Sequence, residues 1–385
     1  MKILILGSYF SDNLGDGVIC ECVKYQLHQR FSSAEIAVWD LWKRDQFQTR
    51  GLKSVSELAA RERRNWVRAK LSQSGLIDKQ YKHEQNMIEI ERKYLEEICA
   101  QNCDMVVFAG GQMFMDAYAM KICYIVDRFS KRNIPIIFNA CGAGPNYSKQ
   151  IQKCLSQALG NPWVTAVSCR DDVELVNRYY AKGCMRVVPT YDPALWCGTC
   201  YGVQQDEESN IMGLGIMAPA RSSIGVVRRF WERLICELER RGIAWKVFVN
   251  GSGSDDTFAR HVIASIPGLG RSFEECSVPI PKRPEELVRV ISQFKSIISF
   301  RLHSHIIATS LGVPSVAAVW DNKVRIFFEK IGCPERCCTL REKPSKVLDK
   351  LAAAEREGYN QTLLDEQRHY SGEWLINAIE KTGLI

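Results

Sequence analysis

The sequence predicts an α/β protein whose two parallel sheets face a central cleft, and three observations carry that prediction. At 385 residues the chain exceeds one ordinary domain and suits two. Apolar runs of strand length alternate with helix-length amphipathic segments along nearly its whole length. The runs are almost continuously apolar, as strands covered on both faces by helices must be. A polar, acidic, aperiodic stretch, "YGVQQDEESN" at 201–210, follows the turn-rich "VPTYDPALWCG" and marks a boundary. We therefore place one Rossmann-like domain at 1–200 and a second at 201–385, with the ligand cleft between them.

In chain order, "KILILG" reads as the first strand and Gly17–Phe31 as the helix behind it. "EIAVWDLW" is the next strand. Residues near 50–100 then break the rhythm with a charged, helical insertion containing "RERRNWVRAK". Its plain reading is a solvated helix face; its sharper one is a basic, Trp-bearing surface that leans on an anionic membrane. "DMVVFAGG", a helix over Ala117–Arg132, "IPIIFNACG" and "VTAVSCR" complete the first half. The second half repeats the pattern with "IMGLGIM", a helix over Val226–Arg241, "AWKVFVNG", a helix over Pro284–Phe294, "SIISF" and "PSVAAVW". Lys346 to Thr382 is helical and mostly polar, and is expected to return over the first domain.

Composition narrows the class. Hydrophobic content of 46% and charged content of 25% are those of a soluble globular protein. No apolar run reaches the roughly 18 residues of a membrane span, and "MKILILG" lacks a cleavage-site pattern, so a cytoplasmic location is expected. The 16 cysteines scatter among apolar neighbours and read as buried free thiols. "CGTC" at 197–200 has zinc-like spacing but no second ligand pair follows it. A net charge of +7 suits anionic small molecules or an acidic membrane face, and no nucleic-acid-binding pattern accompanies it.

Ligands of doubly wound sheets sit beyond the carboxyl ends of the strands, where helix N-termini favour anions. "GSYFSDNLGDGVI" follows the first strand without the GxGxxG spacing of a dinucleotide loop. It reads either as a turn with Asp16 as helix N-cap, or as a site where Asp12, Asn13 and Asp16, around Gly15, meet sugar hydroxyls. Gly110 and Gly111 in "FAGGQMF", and Asn139 in "NACGAGP", end two further strands and would leave a cleft floor free of side chains. Arg170 in "VSCRDD" and Asp192 in "YDPALW" each have an ordinary surface-pair or turn reading beside the functional one.

The stretch "SIISFRLHSHIIATSLGVPSV" at 296–316 sets Arg301, His303 and His305 where a strand stops and a helix begins. A metal pair, a helix-capping patch and an anion site compete. On a helix, residues two apart point about 200 degrees apart, and no carboxylate cluster accompanies the histidines. Arg offers a donor fork that matches carboxylate or phosphate, and a neighbouring His can carry a proton. Lys323, one strand later in "WDNKVRIFFEKIG", reads as a phosphate partner or a solvated helix start.

In order, "NLGD", "FAGG", "CRDD", "DPAL", "RLHSHIIATSLGVPSV" and "DNKVRIFFEKIG" resemble the polysaccharide pyruvyl transferase family over roughly residues 4–332. The resemblance implies two Rossmann-like domains arranged as in GT-B glycosyltransferases. It implies phosphoenolpyruvate as donor on the second domain, with no cofactor and no metal. The acceptor would be a sugar of a surface polysaccharide, or its lipid-linked precursor, on the first. It further implies a pyruvate ketal as product and Arg170, Arg301 and His303 as the donor site. His305 falls where the family pattern demands no His and is expected to be support or core. The residue types then make His303 a general acid or a phosphate ligand, and Asp12 or Asp16 a general base. The rival readings are a GT-B glycosyltransferase using a nucleotide sugar, and a binding protein that keeps the fold without chemistry. The oligomeric state is not legible in the sequence.

Overall fold

The computed structural model describes residues 1–47, 54–74, 78–144, 146–180, 186–219 and 224–384. Parts of the insertion (50–53 and 75–77), the side chain of Glu62, and Pro145 of the third glycine-rich loop lie outside the described residues.

The first half folds as β1 (Lys2–Gly7), β2 (Glu35–Asp40), β3 (Met105–Phe108), β4 (Gly111–Phe114), β5 (Ile136–Phe138), β6 (Cys141–Ala143), β7 (Val164–Cys169) and β8 (Val188–Pro189). Its main sheet has the order β2-β1-β3-β5-β7-β8, all parallel. The second half supplies β9 (Met212–Gly215), β10 (Trp245–Phe248), β11 (Ser296–Ser299), β12 (Ser315–Ala318) and β13 (Cys337–Cys338), ordered β10-β9-β11-β12-β13, again parallel. The expected strands are all present. Both sheets start in the middle, step to one edge and then build out the other way. Each therefore has a switch point, at β1/β3 and at β9/β11, where loops diverge and leave a crevice.

The physical driver is burial. Ile3–Leu6 in β1 and Ile297–Ile298 in β11 are at most 1% exposed, which fits strands roofed on both faces. One apolar cluster runs across the junction: Ile5, Leu14 and Val23 of the first half pack in the same core as Leu287, Ile306 and Phe328 of the second. The two sheets thus share packed side chains beneath the cleft, and the cleft walls are tied together from below.

Two departures from expectation matter for the site. Helix Leu14–Arg30 begins after Asn13, so Asn13 rather than Asp16 is its N-cap residue, and Asp16 lies within the first turn. The loops at Gly110–Gly111 and Asn139–Gly144 are not open floor: β4 and β6, which follow them, pair into a short parallel ribbon. Gly110 and Gly111 take φ of +110° and +87°, conformations that fit glycine alone at little cost. The ribbon presents the side chain of Gln112 instead.

The insertion forms two helices, Val55–Gln73 and Lys79–Cys99. Leu58 is buried in the core of the second half, while Tyr81 and Tyr94 pack against that of the first. Helix Pro344–Glu357 packs on the second half through Val347, Leu348 and Leu351. Helix Gln361–Glu380 returns to the first as expected, where Ile376 and Ile379 join Ile5 and Leu27 in one core, and Arg30 Nη2 meets Glu380 Oε1 at 2.8 Å. Among the described residues, no helix is long and apolar enough to cross a membrane. The described cysteines are free thiols, and no group of three His, Cys, Asp or Glu among the described residues is placed to hold a metal.

Candidate active site

The carboxyl ends of β1, β7, β11 and β12 face one another across the cleft, and each delivers one charged side chain. Strand β11 ends at Ser299, whose hydroxyl accepts the Arg301 backbone N–H at 3.1 Å. Helix Leu302–Leu311 starts directly behind it, with Arg301 as its cap residue. Opposite, the first turn of helix Leu14–Arg30 comes down on His303. A Cβ on Gly15 would lie 2.3 Å from that of His303, so only glycine lets the two helix ends approach this far. Asn250, at the end of β10, ties them together: its carbonyl accepts from Leu14 N at 2.9 Å and its Oδ1 from Ser304 Oγ at 2.8 Å.

His303 is 6% exposed and central. Its Nε2 lies 3.3 Å from Arg170 Nη1. A guanidinium nitrogen only donates, so Nε2 accepts and the neutral ring carries its proton on Nδ1. That Nδ1 points toward Asp16 Oδ1 at 3.9 Å. Burial, reinforced by the cations Arg170, Lys323 and Arg301, holds the imidazole well below its usual pKa, so His303 is neutral at pH 7. Burial likewise raises the Asp16 carboxyl, against the pull of Arg170. Asn13 Nδ2 donates to Asp16 Oδ2 at 3.3 Å.

Each guanidinium is held by a buried carboxylate. Arg170, at the end of β7, pairs with Asp192, and Lys330 Nζ fixes the same corner by donating to the carbonyls of Arg170 at 2.8 Å and Thr190 at 3.2 Å. Arg301 donates from Nε and Nη2 to Asp255 Oδ2 at 2.8 and 2.6 Å. Such a two-point clamp orients a planar group as well as binding it. We expect Asp255→Asn to release Arg301 and raise the Kd for an anionic ligand about 10- to 100-fold, the worth of about 1.5–3 kcal/mol for a hydrogen bond to a charged group. Calorimetric titration checks it; unchanged affinity would show that Arg301 needs no clamp.

Lys323 reaches across the cleft from the start of helix Asn322–Lys330 to Gln112 Oε1 at 3.0 Å. Burial lowers its pKa to about 8. His305, in contrast, turns inward: it is fully buried, its Nε2 lies 3.0 Å from the Ser299 carbonyl, and its ring meets Phe328 edge-on. Burial pushes it down to about 4, so it is core support, as the sequence indicated.

Among the expected residues, Arg170, Arg301, His303, Lys323 and Asp16 converge, with Gly15 and Asn13 supporting them. Asp12 instead faces Ser252 Oγ at 3.5 Å. Gly110 packs against the Asn139 carbonyl and Ile19, and Asn139 is 1% exposed. Several buried polar atoms of this region, Asn13 Oδ1, Arg170 Nε, Asp171 Oδ2 and the side-chain amide nitrogens of Asn139 and Asn250, have no hydrogen-bond partner among the described residues. Such groups are costly unless something polar meets them. Sequence reading missed Asp255, Asn250, Gln112 and Lys330. The first two lie in "NGSGSDD", a glycine-rich strand end of the kind singled out elsewhere; nothing in the sequence marks the other two.

A sequence model of the polysaccharide pyruvyl transferase family matches residues 13–322. No curated protein matches the chain as a relative. Among solved structures, the chain is similar to the UDP-GlcNAc 2-epimerase of Methanocaldococcus jannaschii in complex with UDP-GlcNAc and UDP, at TM-score 0.56 and 12% identity, covering 99% of this chain and 100% of that one. The Rickettsia bellii UDP-N-acetylglucosamine 2-epimerase gives 0.51 and 11%, covering 99% and 96%. That of Neisseria meningitidis, bound to UDP-GlcNAc, gives 0.50 and 10%, covering 99% and 100%. At this identity the likeness speaks to the fold, which is GT-B-like, with two Rossmann-like domains. Family match and fold agree: the chain belongs to the polysaccharide pyruvyl transferase family.

Proposed function

We propose that the protein transfers the enolpyruvyl group of phosphoenolpyruvate to a sugar of a surface polysaccharide or its lipid-linked precursor, forming a pyruvate ketal and releasing phosphate. The observation that carries this reading is the convergence of Arg170, Arg301 and Lys323 on the neutral His303. Two guanidiniums and an ammonium suit a small ligand bearing both a carboxylate and a phosphate.

In this reading the methylene carbon of the donor gains a proton, and C2 becomes cation-like. One sugar hydroxyl oxygen bonds to C2 and its proton leaves to a base; the C2–O bond to phosphate breaks; a second hydroxyl closes the ring. The two hydroxyl protons balance the one taken up by carbon and the one carried off by phosphate. His303 is the candidate acid. A dianionic phosphate beside it offsets the field of Arg170, Lys323 and Arg301 and raises its pKa, so the ring takes up its proton together with the donor. Asp16, with its raised pKa and its oxygen near His303 Nδ1, is the candidate base.

Incubation with phosphoenolpyruvate and a galactoside acceptor, followed by phosphate release, tests the proposal. Release that requires a nucleotide sugar instead would overturn it in favour of a glycosyltransferase. The lowered Lys323 adds a pH signature. The ammonium is charged below about 8 and loses its charge as pH rises through that value. Donor affinity is therefore expected to fall severalfold between pH 7 and pH 9, and Lys323→Met to flatten that fall. A Kd that does not vary over this range would exclude Lys323 from the donor site.

The lipid-linked acceptor calls for a protein that reaches a membrane, and helix Val55–Gln73 suits peripheral contact. Trp66 is 62% and Val67 42% exposed, among the exposed side chains of Arg63, Arg64 and Lys70. Reversing Arg61, Arg63 and Arg64 to Glu is expected to weaken binding to anionic vesicles at least about tenfold, since each basic residue near such a surface contributes about 1 kcal/mol. Unchanged vesicle binding would remove this contact.

A further inference from the structure

A cavity of about 360 Å³ opens beside Lys323, with walls from both halves of the chain. The ribbon, the loop after it and the end of β7 supply Gln112, Tyr147, Asp171 and Asp172; the start of helix Asn322–Lys330 supplies Asp321 and Lys323. The glycine-rich loop after β1, expected to meet sugar hydroxyls, contributes none of its lining residues.

Its charge is the reverse of the donor cluster's. Three carboxylates face one ammonium, so an anion such as a phosphate or carboxylate is repelled, whereas a neutral polyhydroxylated ligand is not. A sugar hydroxyl both gives and takes hydrogen bonds. Carboxylates accept from it, Lys323 donates to it, and the Gln112 amide does either. Asp171 adds a specific motive. One of its oxygens is occupied by the N–H groups of Ala143 and Asp172, both at 2.8 Å. The other, Oδ2, is buried without a partner among the described residues, in a side chain only 8% exposed. Tyr147 contributes a ring, flat and apolar on its face and polar at its tip. The volume is at the small end of ligand pockets, enough for the terminal ring or two of a longer chain.

We propose that this cavity holds the acceptor: a neutral saccharide end, gripped by Asp171, Asp172 and Gln112 and bordered by Lys323, which separates it from the anionic donor. The inference rests on the proposed pyruvyl transfer for the word acceptor, but the pocket's preference for neutral sugar stands on its own lining. It also explains why the cavity is shared between halves. The sugar would touch the ribbon of the first and the helix start of the second, beside the donor cluster that the same two halves build.

The test uses the full chain and saturation-transfer NMR with the methyl glycosides of galactose, glucose, mannose and N-acetylglucosamine, alongside a separate titration with phosphoenolpyruvate. At least one glycoside is expected to show transfer. Asp172→Asn and Tyr147→Ala are each expected to raise its Kd at least about tenfold while leaving the Kd for phosphoenolpyruvate within about twofold. Glycoside binding that survives both substitutions, or the absence of transfer to all four glycosides, overturns the pocket assignment. Loss of phosphoenolpyruvate affinity in both variants assigns the cavity to the donor and overturns it as well. The two readings fail separately. A glycoside held here by a protein that neither binds nor consumes phosphoenolpyruvate sinks pyruvyl transfer and keeps the pocket. Phosphate release that is insensitive to both variants, down to low acceptor concentration, does the reverse.

Discussion

His303→Ala is expected to lower kcat/KM for phosphate release about 10³-fold, the typical worth of a positioned proton-transfer group. The ring lies at the meeting point of Arg170, Asp16 and the first turn of helix Leu14–Arg30, so its removal takes away both a proton carrier and a contact. His303→Asn separates the two. It keeps a hydrogen-bonding group in the cleft but cannot cycle a proton. A fall in kcat with KM preserved would assign His303 to proton transfer; a rise in KM with kcat preserved would assign it to holding phosphate. Retention of wild-type kcat and KM by both variants would remove His303 from the chemistry, and with it the central role given to this residue.

Gly15→Ala should be nearly as damaging although it adds one methyl group and touches no ligand. An alanine inside a helix is ordinarily about 1 kcal/mol better than glycine. Here the new Cβ would stand 2.3 Å from the His303 Cβ and 2.4 Å from its Cγ, and no side-chain rotation relieves the first of these. Either the helix start lifts or His303 turns out of the cleft. We expect the melting temperature to fall, consistent with about 1–3 kcal/mol for overpacking, and kcat/KM to drop at least about 100-fold. A variant that is stabilised and fully active would refute the close approach. The same exchange at Gly372, inside helix Gln361–Glu380, where an added Cβ would meet only Trp196 at 3.8 Å, controls for the backbone.

What could be read beforehand follows from where the information lies. Strands such as "KILILG" and "SIISF" announce themselves because burial on both faces forces a continuous apolar run, a local signal. Arg301 and His303 were legible because charged residues at the end of such a run have no packing reason to be there. Partnerships were not legible. Arg301 finds Asp255 46 residues away, Arg170 meets His303 across 133, and Lys323 meets Gln112 across 211. No spacing rule links such positions; only the closing of two sheets over a shared core does. The glycines of "FAGGQMF" misled for a related reason. Their positive φ was inferable, but not that the chain beyond them would pair as a ribbon and raise Gln112 into the cleft.

The returning helix Gln361–Glu380 has a consequence for how the molecule is made. Arg30 and Glu380 stand 350 residues apart in the chain, and the apolar face around Ile5 and Leu27 is covered by Ile376 and Ile379. At about 5–20 residues per second, a ribosome needs on the order of 20 to 70 s to bridge that interval. The strands of the first sheet are complete only at Pro189, 191 residues before Glu380, so for on the order of 10 to 40 s the first domain waits with one flank uncovered and its sealing helix not yet synthesised. The nascent chain therefore carries an exposed apolar patch through about the second half of its own translation, a period in which that surface is open to aggregation and to chaperones.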